Sequence, residues 1–394
     1  MKQTAPSITP TETRKNGCIY LDYAASSPCD SRVVDKIVSV ISEVGNPHAR
    51  HHTAGAKASL ILKNARGQVA EAIGATTNEV VFTSGATESN NLVLKGLRNH
   101  LLSTGKVHII TGAVEHKSVL YPVKWLEEMG FETTIVPPKP CGMIEADMVL
   151  KAIRPNTGLL SIQAVNNEVG VIQPLDEISS ILQSRDIIFH TDAAQALSKI
   201  PVNVQAWGVD FASFSAHKTY GPAGVGALFV RASCKNLLEP LNHGGGQEDG
   251  LRAGTVPVAL CAGFGVAGTL IEDDRNRIQS LRERLLTRFE FLHPIVYGHS
   301  DPQWNVPGIL NIRFPGVDAE TLVMALPDLA FGQGSACSST GANNLSHVME
   351  AITGSKEAAL ESIRLSFGRF TTEADIDEAA SMIVDTVNGV KSAL

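Results

Sequence analysis

Positive charge is in short supply: 33 Lys and Arg face 40 Asp and Glu, for a net charge of -7. That balance excludes a nucleic-acid grip by the chain itself, since phosphate binding asks for a basic face. Cysteine is sparse and scattered: Cys18, Cys29, Cys141, Cys234, Cys261 and Cys337 form no CxxC pair and no even framework. A disulfide scaffold and a structural zinc site are thereby excluded, and reduced thiols in a cytoplasm are expected. No apolar run is long enough to span a bilayer. The longest, Val256 to Ile271, contains three glycines, stops at Glu272 and reads as a buried helix. The first 17 residues are polar and rich in Pro and Thr, without the apolar core of a signal peptide, so a cytoplasmic location is expected and a membrane partner is not. No internal repeat or low-complexity segment is visible.

What is present describes a soluble globular chain. Hydrophobic residues are 43% and charged residues 19% of 394, enough for a large core and two domains. Residues Arg32 to Val44 place most of their valines and isoleucines on one helical face. Strand candidates follow at Val80–Phe82, Val107–Ile110, Glu132–Val136, Leu159–Val165, Ile187–His190, Phe211–Phe214 and Ala227–Val230. Helix-sized stretches such as Glu88–Leu102, His116–Met129 and Pro174–Ser184 lie between several of them. This alternation predicts an α/β fold with a mostly parallel sheet covered on both faces, its ligands at the edge where strands end. From about Glu272 the texture changes to a charged helix (Glu272–Phe291), the segment Ile309–Phe314, the Gly/Ser-rich Cys337 segment, a helix near Lys356–Ile363 and a final helix, read as a smaller α+β domain.

Three places carry chemistry. Lys218 lies just past a strand end in Ser215-Ala216-His217-Lys218-Thr219-Tyr220-Gly221, flanked by Ser and His and approached by glycines. A lysine so placed can hold pyridoxal phosphate as a Schiff base through a desolvated amine; a surface lysine in a hairpin turn is the other reading. Asp192 ends the apolar run from Ile187, where its carboxylate can pair with the cofactor's pyridinium nitrogen or cap a helix starting near Ala193. Thr83-Ser84-Gly85-Ala86-Thr87-Glu88 turns from a strand into a helix whose first N–H groups, with the Thr87 hydroxyl, can wrap a phosphate or form a plain cap. The third place is Cys337, in a Gly/Ser-rich stretch with almost no bulky apolar anchor, which is expected to be an exposed, mobile loop bearing a nucleophilic thiol.

In this order these pieces resemble the cysteine desulfurases, a branch of the class V, fold-type I pyridoxal-phosphate enzymes. The resemblance runs from about Ile19 to Phe370 and includes Tyr20-Leu21-Asp22-Tyr23-Ala24-Ala25, Glu115-His116-Lys117, Asn166-Asn167-Glu168, His243-Gly244-Gly245-Gly246, Arg252-Ala253-Gly254-Thr255, Gly334-Ser335-Ala336-Cys337 and Arg364-Leu365-Ser366-Phe367-Gly368-Arg369. It implies an aminotransferase-like fold with a large cofactor-binding domain over 27–268, and a small domain of 1–26 with 269–394 that carries the long Cys337 loop. It further implies that Lys218 bears the cofactor, Asp192 pairs with its ring nitrogen and Gln195 bonds its ring hydroxyl oxygen. His116 stacks on the ring and moves protons. Ala86, Thr87, Ser215 and His217 hold the phosphate with Thr255 of a second subunit, so a homodimer is expected, with the apolar run from Val256 packed in its interface. Asn167 and Arg364 fix the substrate carboxylate, a task suited to the planar guanidinium fork.

The implied reaction removes sulfur from L-cysteine, leaving L-alanine and a persulfide on Cys337 that passes to an acceptor protein in iron–sulfur assembly, tRNA thiolation or DNA phosphorothioation. Relatives that feed iron–sulfur scaffolds carry an extension past the last helix, whereas this sequence ends at Leu394, and Asp249 stands where relatives often carry a basic residue; a dedicated acceptor is therefore expected. Selenocysteine lysis or another class V reaction would keep Lys218 and Asp192 but idle Cys337, and a non-catalytic partner-binding scaffold would need none of them. His48, His51 and His52 lack a carboxylate or cysteine at ligand spacing, so no metal is expected.

Overall fold

The computed structural model describes residues 17–43, 45–333 and 345–393. In chain order its elements are β1 (Ile19–Tyr20), α1 (Ser31–Ile41), α2 (Thr53–Ile73), β2 (Val80–Thr83), α3 (Ala86–Gly96), α4 (Arg98–Ser103), β3 (His108–Gly112), α5 (Lys117–Glu128), β4 (Glu132–Val136), α6 (Ala146–Ala152), β5 (Thr157–Ser161), α7 (Leu175–Leu182), β6 (Ile188–Asp192), β7 (Phe211–Ser215) and β8 (Gly226–Val230). There follow α8 (Val258–Thr269), α9 (Arg275–Phe289), β9 (Ile295–Tyr297), β10 (Ile309–Arg313), α10 (Ala319–Ala325), β11 (Leu329–Ala330), β12 (Gly332–Gln333), α11 (His347–Thr353), α12 (Lys356–Leu360), β13 (Ser362–Ser366) and α13 (Glu373–Ala393). They fall into two compact units. The larger comprises Ser27–Asn167 and Val171–Glu272; the smaller comprises the described residues among Met1–Ser26, Glu168–Gly170 and Asp273–Leu394.

The larger unit is built on a seven-stranded sheet in the order β2-β8-β7-β6-β5-β3-β4. The pairs from β7 through β4 are parallel, whereas β8 is antiparallel to both β7 and β2. Strands β2, β3, β5, β7 and β8 are buried at every residue, which is why they read as short continuous apolar runs. The edge strand β4 carries Glu132, Thr133 and Thr134 and is largely exposed. Helices α1, α2 and α8 pack together. The glycines of α8 permit that: a Cβ at Gly263 would stand 2.7 Å from Ile37 of α1, and one at Gly265 would stand 2.9 Å from the Ala65 Cα of α2. The apolar run from Val256 is thus buried against helices of its own unit, from Cys261 to Gly265 without a break.

The smaller unit holds an antiparallel sheet in the order β12-β13-β10-β9 and the parallel pair β1-β11. Helices α9 and α13 pack on one another, and the core gathers Phe289, Phe314, Leu322, Ile376 and Ile383, with the two phenyl rings edge to face at 5.4 Å. Two sequence expectations are corrected here and in the larger unit. The helix near Lys356–Ile363 ends at Leu360, and Ser362 begins a strand paired residue by residue with β10. The helix Glu88–Leu102 is two helices, α3 and α4, broken at Leu97. Among the described residues no helix is long and apolar enough to cross a membrane.

Candidate active site

Several strands of the larger unit end at one edge. Strand β2 runs in the direction of β7, because each is antiparallel to β8. The last residues of β2, β6 and β7 are therefore neighbours at that edge: Thr83, Asp192 and Ser215. Gly226 opens β8 there, opposite both Thr83 and Ser215. Its lack of a side chain is required. A Cβ would lie 2.4 Å from the Phe214 carbonyl oxygen and 2.6 Å from the Gly85 Cα.

Gly85 caps α3 without a side chain, so the first amides of that 11-residue helix have neither an intrahelical nor a side-chain cap partner. They face the cleft with their partial positive charge. Glu88, in the same turn, is turned aside: its Oε2 accepts from the Ser84 N–H (2.7 Å) and its Oε1 from Arg252 Nε (3.0 Å). Burial pushes the Glu88 carboxyl up, but the Ser84 bonds and the Arg252 charge outweigh it and hold the pKa below the ordinary value.

Lys218 ends a single 3₁₀ turn, Ala216–Lys218, that follows β7. Side-chain contacts help to hold this turn. Ser27 Oγ donates to the His217 carbonyl (2.9 Å) and accepts from the Tyr220 N–H (2.7 Å), while Lys199 Nζ donates to the Lys218 carbonyl (2.9 Å). Tyr220 sits in the left-handed region at φ 58°, a conformation that a non-glycine residue keeps only when its surroundings impose it. Burial, and then the Lys218 charge, pushes the Lys199 amine down to about 7. Burial and the two lysines push the His217 imidazole down to about 4, so it is neutral at physiological pH.

Asp192 is buried, with both carboxylate oxygens occupied: Oδ1 accepts from the Ala194 N–H (2.9 Å) and Oδ2 from Asn90 Nδ2 (2.7 Å). No helix follows it, since the chain turns through Ala194–Lys199, so the helix-cap alternative is not realised. The same Asn90 amide donates to Ser118 Oγ (2.8 Å), and Ser118 in turn contacts His116 Nδ1 through Oγ (2.7 Å) and N–H (3.1 Å). Glu115, next to His116, is fully buried. Desolvation pushes its carboxyl well above the ordinary value; the Gln163 N–H opposes this and the Asp192 charge adds to it.

One cleft is lined by Ala86, Thr87, His116, Asn167, Asp192, Gln195, Ser215, His217 and Lys218, nine residues singled out in the sequence. Thr255 is exposed and does not line it. Arg364 lies on β13 in the smaller unit, buried, its Nη2 donating to Asp22 Oδ1 at 2.7 Å. Cys337 and its loop lie outside the described residues. Sequence reasoning missed Ser118 and Gln163 in the lining, and the place of Asn90 behind Asp192. The available signal for Asn90 was its place one helical turn after Ala86, on the face that returns to the sheet. Of the three histidines weighed as metal ligands, His52 uses Nδ1 to accept from the Gly55 N–H (3.0 Å) and so caps α2. Among the described residues no cluster of three His, Cys, Asp or Glu side chains could hold a metal ion.

Comparison with known proteins accords with this geometry. The aminotransferase class-V family matches residues 19–379. The chain is similar to the cysteine desulfurase IscS of Rickettsia typhi, 43% identical over 378 residues that cover 95% of this chain and 92% of the relative. Among solved structures it is similar to a NifS-like protein at TM-score 0.86 and 31% identity, covering 96% of this chain and all of the other. It is also similar to SspA in complex with cysteine, at TM-score 0.78 and 38% identity, covering 88% of this chain and 98% of the other. The chain belongs to the aminotransferase class-V family, in its cysteine desulfurase branch.

Proposed function

We propose that this chain takes sulfur from L-cysteine with the aid of pyridoxal 5′-phosphate and hands it on through Cys337. The observation that carries the reading is the meeting, in one cleft, of an uncapped helix N-terminus, a buried carboxylate and a lysine on a constrained turn. The donor set fits the cofactor. The amides of Ala86 and Thr87, the Thr87 and Ser215 hydroxyls and His217 would hold its phosphate. Asp192 would pair with its ring nitrogen, Gln195 with its ring hydroxyl, and Lys218 would bond it covalently. When bound, the cofactor supplies an electron-withdrawing ring that lowers the barrier to removing the α-proton of an amino acid.

The protein's own groups do the rest. Asn90 and the Ala194 N–H keep the Asp192 carboxylate aimed, since each donates to one of its oxygens. Lys218, freed by substrate, removes the α-proton and returns a proton to the product. Asn167 and Arg364 would orient the substrate carboxylate, and Asp22 already fixes the guanidinium of Arg364. The Cys337 thiolate attacks the substrate sulfur: an S–S bond forms as the C–S bond breaks, which leaves L-alanine and a persulfide for an acceptor protein. Thr255 would complete the phosphate site of a second copy and make the enzyme a homodimer. The solved relative in complex with cysteine supports the choice of substrate.

The test is to incubate purified protein with L-cysteine and count alanine and protein persulfide. One alanine per persulfide, with Cys337→Ser losing the persulfide while keeping the cofactor's visible absorbance, supports the reading. Persulfide formed undiminished without the Cys337 thiol overturns it.

A further inference from the structure

A buried chain of hydrogen bonds runs from Asp192 to the His116 ring. The Asp192 carboxylate oxygen 2.7 Å from the Asn90 side chain demands a donor, so the Asn90 amide nitrogen must face it. The second hydrogen of that nitrogen goes to Ser118 Oγ (2.8 Å). Ser118 Oγ, having accepted there, points its own hydrogen at His116 Nδ1 (2.7 Å). The Ser118 N–H reaches the same nitrogen (3.1 Å), which makes His116 the N-cap of the 12-residue helix α5. A ring nitrogen that accepts from a backbone N–H carries no proton. The positive end of the α5 dipole further disfavours an imidazolium at this place.

We propose that Ser118 and Asn90 are positioning residues that hold His116 as the neutral tautomer, with its proton on Nε2. The ring then serves the cleft as a hydrogen-bond donor at Nε2 and takes up no proton at Nδ1, so removal of the α-proton falls to Lys218. The proposal deepens the cofactor reading and draws its catalytic meaning from it, but the tautomer is a property of the protein alone. Among the described residues, the charged and titratable groups that line the same cleft are Asp192, Lys218, His217 and Glu88, and the buried Glu115 precedes His116 in the chain.

The test is nitrogen NMR of protein labelled in its histidine rings, as purified with cofactor and again after cofactor removal, with the His116 signals identified by their loss in His116→Gln. The expected result is an unprotonated Nδ1 and a protonated Nε2 across the neutral range in both forms. Ser118→Ala removes one of the two donors to Nδ1 and should raise the proton affinity of the ring about tenfold, an upward shift of about one pH unit in its titration. Ser118→Thr should restore the original titration. Asn90→Leu, which loosens Ser118 without touching the ring, should shift it in the same direction by less, and it keeps the test open where Ser118→Ala does not fold. A proton on Nδ1 in the unaltered protein, or a titration unmoved in both Ser118→Ala and Asn90→Leu, overturns the proposal. A protein that shows this tautomer but binds no cofactor counts against the cofactor reading alone.

Discussion

Gly226→Ala is the substitution for which the structure gives the sharpest consequence. The new Cβ would sit 2.4 Å from the Phe214 carbonyl oxygen and 2.6 Å from the Gly85 Cα, and neither neighbour is the flexible end of a side chain. Phe214 is held within β7, whose five residues all pair with β8, so it does not yield. Gly85 lies past the end of β2 and is the group free to move. Restoring an ordinary contact takes it from 2.6 to about 3.4 Å, a shift of about 0.8 Å. Overpacking of this kind costs about 1–3 kcal/mol, and backbone neighbours place this case at the upper end. The larger effect is on the site. The amides of Ala86 and Thr87 move with Gly85, and a misplacement of about 1 Å is worth roughly a hundredfold. Urea unfolding of cofactor-stripped protein should give a loss of about 2–3 kcal/mol, and titration with pyridoxal phosphate should give an affinity lower by about a hundredfold. Stripped protein is needed because bound cofactor would stabilise the native state unequally in the two proteins. Wild-type stability together with wild-type cofactor affinity would refute the reasoning.

Other consequences follow from buried charge. Burial holds the Glu115 pKa well above its usual 4.5, so the folded state binds that proton more tightly than the unfolded chain. The associated stability is full below about 4.5 and is lost as pH rises from there through the folded value. Glu115→Gln should therefore gain on the unaltered protein between pH 5 and pH 8 in paired urea unfolding; a constant difference would contradict a neutral Glu115. Glu248 accepts two bonds from Arg66 (2.6 Å each) and one from the Phe82 N–H (2.7 Å), with Glu248 and Asp249 both at positive φ. Glu248→Ala strands a partly buried guanidinium and a buried amide, and should destabilise by about 3–5 kcal/mol in the same assay. A change below about 1 kcal/mol would mean that the pair contributes little.

The parts of the fold that were legible in the sequence are those where local and tertiary forces agree. Val80–Phe82 followed by Thr83-Ser84-Gly85 reads as a strand turning into a helix because a buried strand needs a continuous apolar run and the turn needs small residues. Lys218 and Asp192 stood out because each follows such a run at the point where ligands meet an open sheet. The misses are places where packing overrode local preference. Lys356-Glu357-Ala358-Ala359-Leu360 is helical as read, but Ile363 and Leu365 alternate into the core against β10, and pairing wins from Ser362 onward. At the break by Leu97 the Gly96 carbonyl accepts from the Glu239 N–H (3.0 Å), a tertiary contact so close that a Cβ on residue 96 would come within 2.7 Å of the Glu239 carbonyl. The link from Asp192 through Asn90 and Ser118 to His116 joins four residues spread over some hundred positions, and no spacing rule announces it.

The most direct test of the central claim is to reduce the purified, cofactor-loaded protein with borohydride and map the modified residue. The account predicts a single pyridoxyl group, on Lys218. A pyridoxyl group on Lys199, whose amine donates to the Lys218 carbonyl, or on any other lysine, would contradict it.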